Sequence, residues 1–299
     1  MVVVSSANRV VYPGTGTTKG EVVAHFRAVG ERMLRHIADR PLTLQRFPKG
    51  VAGKGFMQKN ASKYFPDYIR RHTVPRQDGT TTHPVIDDTM GIEYLANQNT
   101  ITFHVPTATI AAADYPDRVI IDLDPPEGGL TIVRDAAWAT KQLLDELGVE
   151  SLPVATGSKG YHVTTMIGRS ATMAEAGEFG QLAAAILTYR HPHLLTTEFR
   201  KVNRNGRVFC DWLRNRWGST SAAPWSLRPR SRPTVVVPIS WDELESIAPD
   251  HFEIQDIPDS DPLRDQAAAP ADLAAALQAL RDLVADAGVT IEKFDRFRS

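Results

Sequence analysis

The sequence predicts an α+β fold, and three features carry that prediction. Helix-like and strand-like stretches are interspersed without the strict βαβ alternation of a doubly wound sheet. The most apolar strand candidate, Arg118 to Leu123, runs into Asp124-Pro125-Pro126 and stops there. Helix candidates carry their own start signals instead of following each strand in turn.

Ser5 to Thr17 reads as an extended arm ending in a turn. Thr18 and Glu21 have capping-box spacing, and apolar residues from Val22 to Ile37 recur at helical spacing until Arg40-Pro41. Leu42 to Phe47 reads as a strand. Thr73 to His83 reads as a hairpin around Asp78-Gly79, and Ile101 to Val105 as a short strand. Asp135 to Leu147 is expected to be a helix stopped at Gly148. Pro153 to Ala155 and His162 to Met166 are expected strands flanking Thr156 to Gly160. A helix over Ala174 to Tyr189, strands over Val208 to Trp212 and Thr234 to Val237, and a Ser240/Glu243-capped helix over Trp241 to Ile247 follow. Asp256 to Ala269 reads as a linker, and Leu273 to Ala287 as an amphipathic helix. No internal repeat is present.

The 299 residues suffice for a sizeable core, and 42% apolar with 23% charged residues is ordinary for a globular protein. No run of 18 apolar residues suggests a membrane span, and the N-terminus lacks the pattern of a secretory signal. The single cysteine, Cys210, permits no internal disulfide and fits a reducing cytosol. A net charge of -1 does not by itself suggest nucleic acid, but its distribution does. Leu44 to His72 holds seven Lys or Arg against Asp67; Glu198 to Arg232 holds nine against Glu198 and Asp211. The chain from Asp250 onward holds eleven acids and five bases. Two basic patches balanced by an acidic tail fit a phosphate-binding surface, or plain surface charge.

In a strand, Asp122 and Asp124 share a face, with Leu123 turned away. Two carboxylates so close repel, which favours a divalent cation, and Mg²⁺ and Mn²⁺ prefer such oxygen ligands. Alone, Asp-x-Asp is a common pattern. Asp211, in the apolar stretch Val208 to Trp212, supplies a third acid, and it has two readings: a metal ligand, or an ion-pair partner for a nearby arginine. Two acids on one strand and one on a neighbour are what a two-metal nucleotidyltransferase needs. Gly157-Ser158-Lys159-Gly160-Tyr161-His162 joins two strands and reads as a phosphate loop or a polar turn; it lacks Walker A spacing. Arg204 and Arg207 precede Asp211, and Arg228 follows it. Arginine suits bidentate phosphate contact, but spacing does not choose among the three.

In the order DLDPPEG, TGSKGYHV, RNGRVFCDW and APWSLR, these motifs resemble the polymerase domain of bacterial LigD and its stand-alone relatives, within the archaeo-eukaryotic primase superfamily. NRVVYPGTGTTKGE, RPLTLQRFPKG and FMQKN look like that family's early motifs, so the resemblance spans roughly residues 8 to 245. It implies a primase-polymerase fold: a central RRM-like antiparallel sheet carrying the metal site, with an N-terminal α/β module. The expected division is one catalytic domain: module to about residue 110, sheet to about 250, then acidic linker and C-terminal helix.

The resemblance further implies two Mn²⁺ or Mg²⁺ ions on Asp122, Asp124 and Asp211. It implies nucleotide contacts by His104, Ser158, Lys159, His162, Arg204 and Arg228, and a grip on a DNA 5′-phosphate by Asn8, Arg9 and Lys19. Lys19 lies in the first turn of a capped helix, where free N–H groups favour an anion; the alternative is an ordinary exposed lysine. Phe56 and Met57 stand where relatives usually carry two stacking phenylalanines, and Gln45 and Asn60 also depart from the usual pattern. With no ligase motif in the chain, the expectation is a cytoplasmic, nucleoid-associated, stand-alone polymerase. It would use NTP or dNTP, with a preference for ribonucleotides, to fill short 5′-phosphorylated gaps. The alternative within the family is end processing in non-homologous end joining with Ku and a separate ligase. Outside it stand a glycosyltransferase, which would not need Asp211, and a non-catalytic DNA-binding module, which would not need intact acids.

Overall fold

In the computed structural model, the strand Arg118–Asp124 lies inside a six-stranded sheet, between Tyr161–Met166 and Val208–Asp211. The structure describes residues 2–76 and 79–291. In chain order the strands are β1 (Val10–Tyr12), β2 (Thr17–Thr18), β3 (Thr43–Arg46), β4 (Phe56–Gln58), β5 (Arg70–Arg76), β6 (Gly79–Val85) and β7 (Thr100–Val105). Then come β8 (Arg118–Asp124), β9 (Leu152–Ala155), β10 (Tyr161–Met166), β11 (Leu195–Thr196), β12 (Val208–Asp211), β13 (Ser221–Ala222) and β14 (Val237–Pro238). The helices are α1 (Lys19–Ala28), α2 (Gly30–Ile37), α3 (Thr89–Asn97), α4 (Leu130–Glu146), α5 (Met173–Arg190), α6 (Pro262–Ala267) and α7 (Leu273–Asp286).

The run β8–α4–β9–β10–α5–β12 has the βαββαβ order, and its strands lie side by side as β12-β8-β10-β9, all antiparallel. This is the RRM-like sheet the motifs imply. Val119, Ile120, Ile121 and Leu123 are all buried, as a strand covered on both faces requires. α4 and α5 pack against the sheet and bury Val133, Leu143, Phe179 and Leu187 there.

The N-terminal part builds a second sheet, β13-β7-β3-β4, with α1 and α3 against each other and α3 against β7. Phe26 and Phe103 meet edge to face with ring centroids 5.2 Å apart. One apolar cluster runs through both sheets, from Val11 to Val237 and on to Leu280. β5 and β6 form the expected hairpin, although Asp78 of the expected turn lies outside the described residues.

Several expected elements differ. The long first helix divides at Val29, where Gly30, a poor helix former, begins α2 and sits against Thr89; a Cβ there would lie 3.2 Å from Thr89 Cγ2. α3 was not expected; its signal is Asp88, whose side chain accepts from the Gly91 N–H. α4 starts at Leu130, five residues before the expected Asp135. Of Thr234 to Val237 only Val237 joins a strand, Thr234 and Val235 making isolated bridges. The Ser240/Glu243 capping box forms but holds a 3₁₀ turn, Trp241–Glu243, not a full helix.

The stretch read as a linker contains α6 and is tied to the core. His36 Nε2 lies 2.9 Å from Asp261 Oδ2, both side chains buried, and the Met166 N–H donates to Gln266 Oε1. Acidic composition concealed this because Asp261, an acid, turns inward to His36, and Leu263 adds a buried contact.

Candidate active site

The exposed-looking end of β8 becomes a site through strand register. Asp211 on β12 is paired directly with Asp122, and His162 on β10 is paired with Asp122 from the other side. Asp124 lies two residues on, opposite Phe209. The acids from two distant segments are thus brought together, as the sequence suggested.

Arg214 completes the cluster. Its Nε donates to Asp122 Oδ2 at 3.0 Å, and its Nη2 lies 3.0 Å from Asp211 Oδ2. It belongs to a 3₁₀ turn, Leu213–Asn215, fastened to β8 by Asn215. The Asn215 amide accepts from the Ile120 N–H at 2.7 Å and donates to the Ile120 carbonyl at 2.8 Å, so the turn follows β8. The Leu213 N–H donates to Asp211 Oδ1, orienting that carboxylate.

The electrostatics are those of crowded acids. Asp124 is pushed up to about 6 by burial, then by the charges of Asp122 and Asp211. Asp211 is raised by burial and by Asp122, against the opposing pull of Arg214. His104 on β7 is pulled down to about 3, by burial first and then by Arg228, Arg214 and His162; its Nε2 is buried without a partner. His162 is lowered by burial, with its Nε2 3.6 Å from Asp122 Oδ1. Both imidazoles are therefore neutral donors or acceptors at neutral pH.

The donor set suits hard divalent cations: carboxylate oxygens on one face, crowded enough that a guanidinium already stands between two of them. Among the described residues, no group of three or more His, Cys, Asp or Glu side chains is arranged to hold a metal ion. Mg²⁺-type ions need only one or two carboxylates plus water and substrate phosphates, so the set fits without one.

The loop before β10 is shaped by two glycines. Gly157 has φ +63°, and a Cβ on Gly160 would stand 1.9 Å from the Leu123 carbonyl oxygen. Ser158 Oγ accepts from Arg230 Nη2, and Lys159 Nζ pairs with Glu127. Both line a cleft of about 720 Å³ with Arg230 and Arg232. Arg228 is largely buried, its Nε lacks a partner, and it feels the charges of Asp122 and Asp124. The Tyr12 hydroxyl donates to the Arg228 carbonyl, fixing that segment to the N-terminal arm. Arg204 is held by the Glu198 carbonyl and lies 4.0 Å over the Phe209 ring, near enough to act on Asp124 and Asp211.

Arg9 and Lys19 lie together, with Asn8 beside Arg9 in the chain. The Lys19 N–H donates to the Arg9 carbonyl, and Lys19 Nζ donates to Ser5 Oγ at 2.8 Å. Lys19 is only 4% exposed, which removes the reading of an ordinary surface lysine. Its pKa is lowered by burial and by Arg9. Phe56 and Met57 are both exposed on β4, the edge strand of the second sheet. Gln45 and Asn60 have structural places: Gln45 pairs with Met57 across β3–β4, and Asn60 Oδ1 accepts from the Thr82 N–H.

Residues 18–267 match the family described as LigD, primase-polymerase domain. The chain belongs to this family. The match runs past residue 245 into α6, so the tail contributes more than its composition suggested. The chain is 36% identical over 256 residues to the multifunctional non-homologous end joining protein LigD of Mycobacterium bovis, covering 83% of this chain and 34% of that protein. It is 32% identical to the bifunctional non-homologous end joining protein LigD of Bacillus subtilis, covering 85% and 41%. Among solved structures, the polymerase domain from Mycobacterium tuberculosis ligase D in complex with DNA superposes with a TM-score of 0.82 at 34% identity. That comparison covers 91% of this chain and 99% of the other. The chain spans about a third of the length of the Mycobacterium bovis relative. As a LigD primase-polymerase domain it is a DNA-directed nucleotidyltransferase.

Sequence reasoning named neither Arg214 nor Arg230. The signal for Arg214 is its place three residues after Asp211; Arg230 follows Arg228 at strand spacing. Some of the counted positive charge is already engaged. Arg70 is held by Asp87 and Asp39, and Arg232 by Asp250 and Glu253, so the basic patches are smaller than the residue count implied. Among the described residues, no helix is long and apolar enough to cross a membrane.

Proposed function

We propose that this chain fills short gaps in DNA from a 5′-phosphorylated end, extending a 3′-hydroxyl with NTP or dNTP and preferring ribonucleotides. The observation that supports this reading is the pairing of Asp211 with Asp122, which joins acids from two segments in one cluster. Asp122, Asp124 and Asp211 would hold two Mn²⁺ or Mg²⁺ ions. When bound, such ions activate the hydroxyl and neutralise the triphosphate and leaving pyrophosphate. Ser158, Lys159, Arg228 and neutral His162 would hold triphosphate oxygens. Neutral His104 can donate to a ligand without adding charge, and Arg204 would add positive charge from the β12 side. Lys19 with Asn8 and Arg9 would take the 5′-phosphate, its buried ammonium losing little hydration on contact. Phe56 would stack on a base, and Met57 offers a softer contact.

A second reading, end processing in non-homologous end joining with Ku and a separate ligase, is favoured by the names of the LigD relatives. Both place the chain with DNA in the cytoplasm. Extension assays on matched gapped, blunt and unprimed templates, with NTPs and dNTPs compared, test the proposal. Preference for the phosphorylated gap supports gap filling, and preference for blunt or overhanging ends supports end joining. Turnover of a sugar nucleotide without primer extension would point to glycosyl transfer and end both.

A further inference from the structure

Immediately after Asp211 the chain turns through Trp212–Ser219, and this turn lines a groove of about 810 Å³. The first turns of α5 line it too, as does Lys59, which follows β4 and the exposed Phe56-Met57 pair. Trp217 is 60% exposed there, an open indole on a surface where burial would be the favoured state. Arg216 points a buried Nη1 at no partner and lies 5.6 Å over the Trp212 ring. Glu178, the one acid among the lining residues, is taken up by two hydrogen bonds from Arg281, each 2.8 Å. The groove therefore offers two cations and a flat aromatic face, which is the chemistry that holds a single nucleic-acid strand.

Its position relative to the acids says which strand. The phosphate loop Gly157–Gly160 and His162 lie on the β10 side of β8, and their cleft opens there. The groove follows β12, on the opposite side of β8. Phosphoryl transfer places the entering hydroxyl and the departing pyrophosphate roughly in line, on opposite sides of the phosphorus. With the triphosphate on the β10 side, the attacking 3′-hydroxyl must come from the β12 side.

We propose that the groove of Lys59, Arg216 and Trp217 receives the last nucleotides of the primer strand, a function that rests on the polymerase reading above. Trp217 stacks on a base, while Arg216 and Lys59 contact backbone phosphates.

Steady-state extension by the full chain separates this role from the others, with primer-template and nucleotide varied in turn. Trp217→Ala and Arg216→Gln are expected to raise KM for primer-template by about tenfold or more, leaving KM for the nucleotide within about twofold. Trp217→Phe, which keeps an aromatic face, is expected to recover most of the loss. For a fluorescent single-stranded primer, Arg216→Gln is expected to reduce the slope of log K against log salt by about 0.7. Thermal midpoints confirm that each variant folds. Unchanged primer KM in variants that still extend overturns the proposal and leaves the groove to a protein partner. A raised nucleotide KM with normal primer KM overturns it as well. Failure of the unaltered chain to extend any primer refutes the polymerase reading instead.

Discussion

Asp211 is the cross-strand partner of Asp122, and the two carboxylates share one guanidinium, Arg214, at 3.0 Å from each. That guanidinium holds the two acids together, and in the proposed metal-bound state it would compete with an ion for them. Arg214→Met is predicted to lower the metal-free melting temperature by on the order of a few degrees. Mn²⁺ should then stabilise the variant more than the unaltered chain. Thermal melts with and without Mn²⁺ check this, and equal Mn²⁺ shifts in both proteins would show that Arg214 does not compete.

Asp124 is raised to about 6 by burial and by the charges of Asp122 and Asp211. Asp124→Asn keeps the shape and removes the ligand charge. Losing several kcal/mol of transition-state stabilisation predicts a fall in extension rate of at least about 100-fold, with DNA affinity largely intact. Near-normal extension would remove Asp124 from the metal site.

Lys19 is buried beside Arg9 at the start of a capped helix. Lys19→Ala is predicted to weaken binding about 10-fold or more when the gap carries a 5′-phosphate, and little when it carries a hydroxyl. Fluorescence anisotropy on the two substrates decides. Equal losses would make Lys19 a general backbone contact.

Gly160 cannot be replaced cheaply, because its Cβ would meet the Leu123 carbonyl oxygen at 1.9 Å. Gly160→Ala must push the phosphate loop off β8 and is predicted to cost about 3 kcal/mol or more of stability. Urea denaturation measures this, and a loss below about 1 kcal/mol would mean the loop yields freely.

His25 gives the fold a pH limit. Its Nε2 donates to the Trp225 carbonyl at 2.9 Å, and burial pulls its pKa down to about 4. The unfolded chain takes up this proton near pH 6.5, and the folded chain only near 4. Stability from this site is whole above pH 6.5 and is lost as pH falls towards 4, by about 3 kcal/mol. His25→Gln keeps a donor and removes the titration. Urea unfolding between pH 7 and 4.5 should show a smaller loss in the variant, and parallel losses would place the acid sensitivity elsewhere.

The sequence made the acid strand legible because its apolar residues call for burial on both faces. The apolar run before Asp122 and Asp124 marked a buried strand, and that strand formed within one residue of its expected end. Gly157 and Gly160 were likewise legible locally, as a tight loop. Arg214 was not, because its role depends on Asn215 fastening a turn to β8, a contact between residues 95 positions apart. Likewise α6 stayed hidden: its reason to exist is the His36–Asp261 pair, 225 positions apart, which no local pattern announces. Capping boxes at Thr18 and Ser240 were correctly seen, yet a cap marks only where a helix starts. Packing decided that the first ran ten residues and the second three.

The central claim is best tested by anomalous X-ray diffraction from crystals soaked with Mn²⁺ and a non-hydrolysable nucleoside triphosphate. Two Mn²⁺ peaks are predicted, both touching Asp122 and Asp124 and one touching Asp211, with the Arg214 side chain displaced from Asp211. A single peak away from Asp211, or none beside the bound triphosphate, would contradict the account.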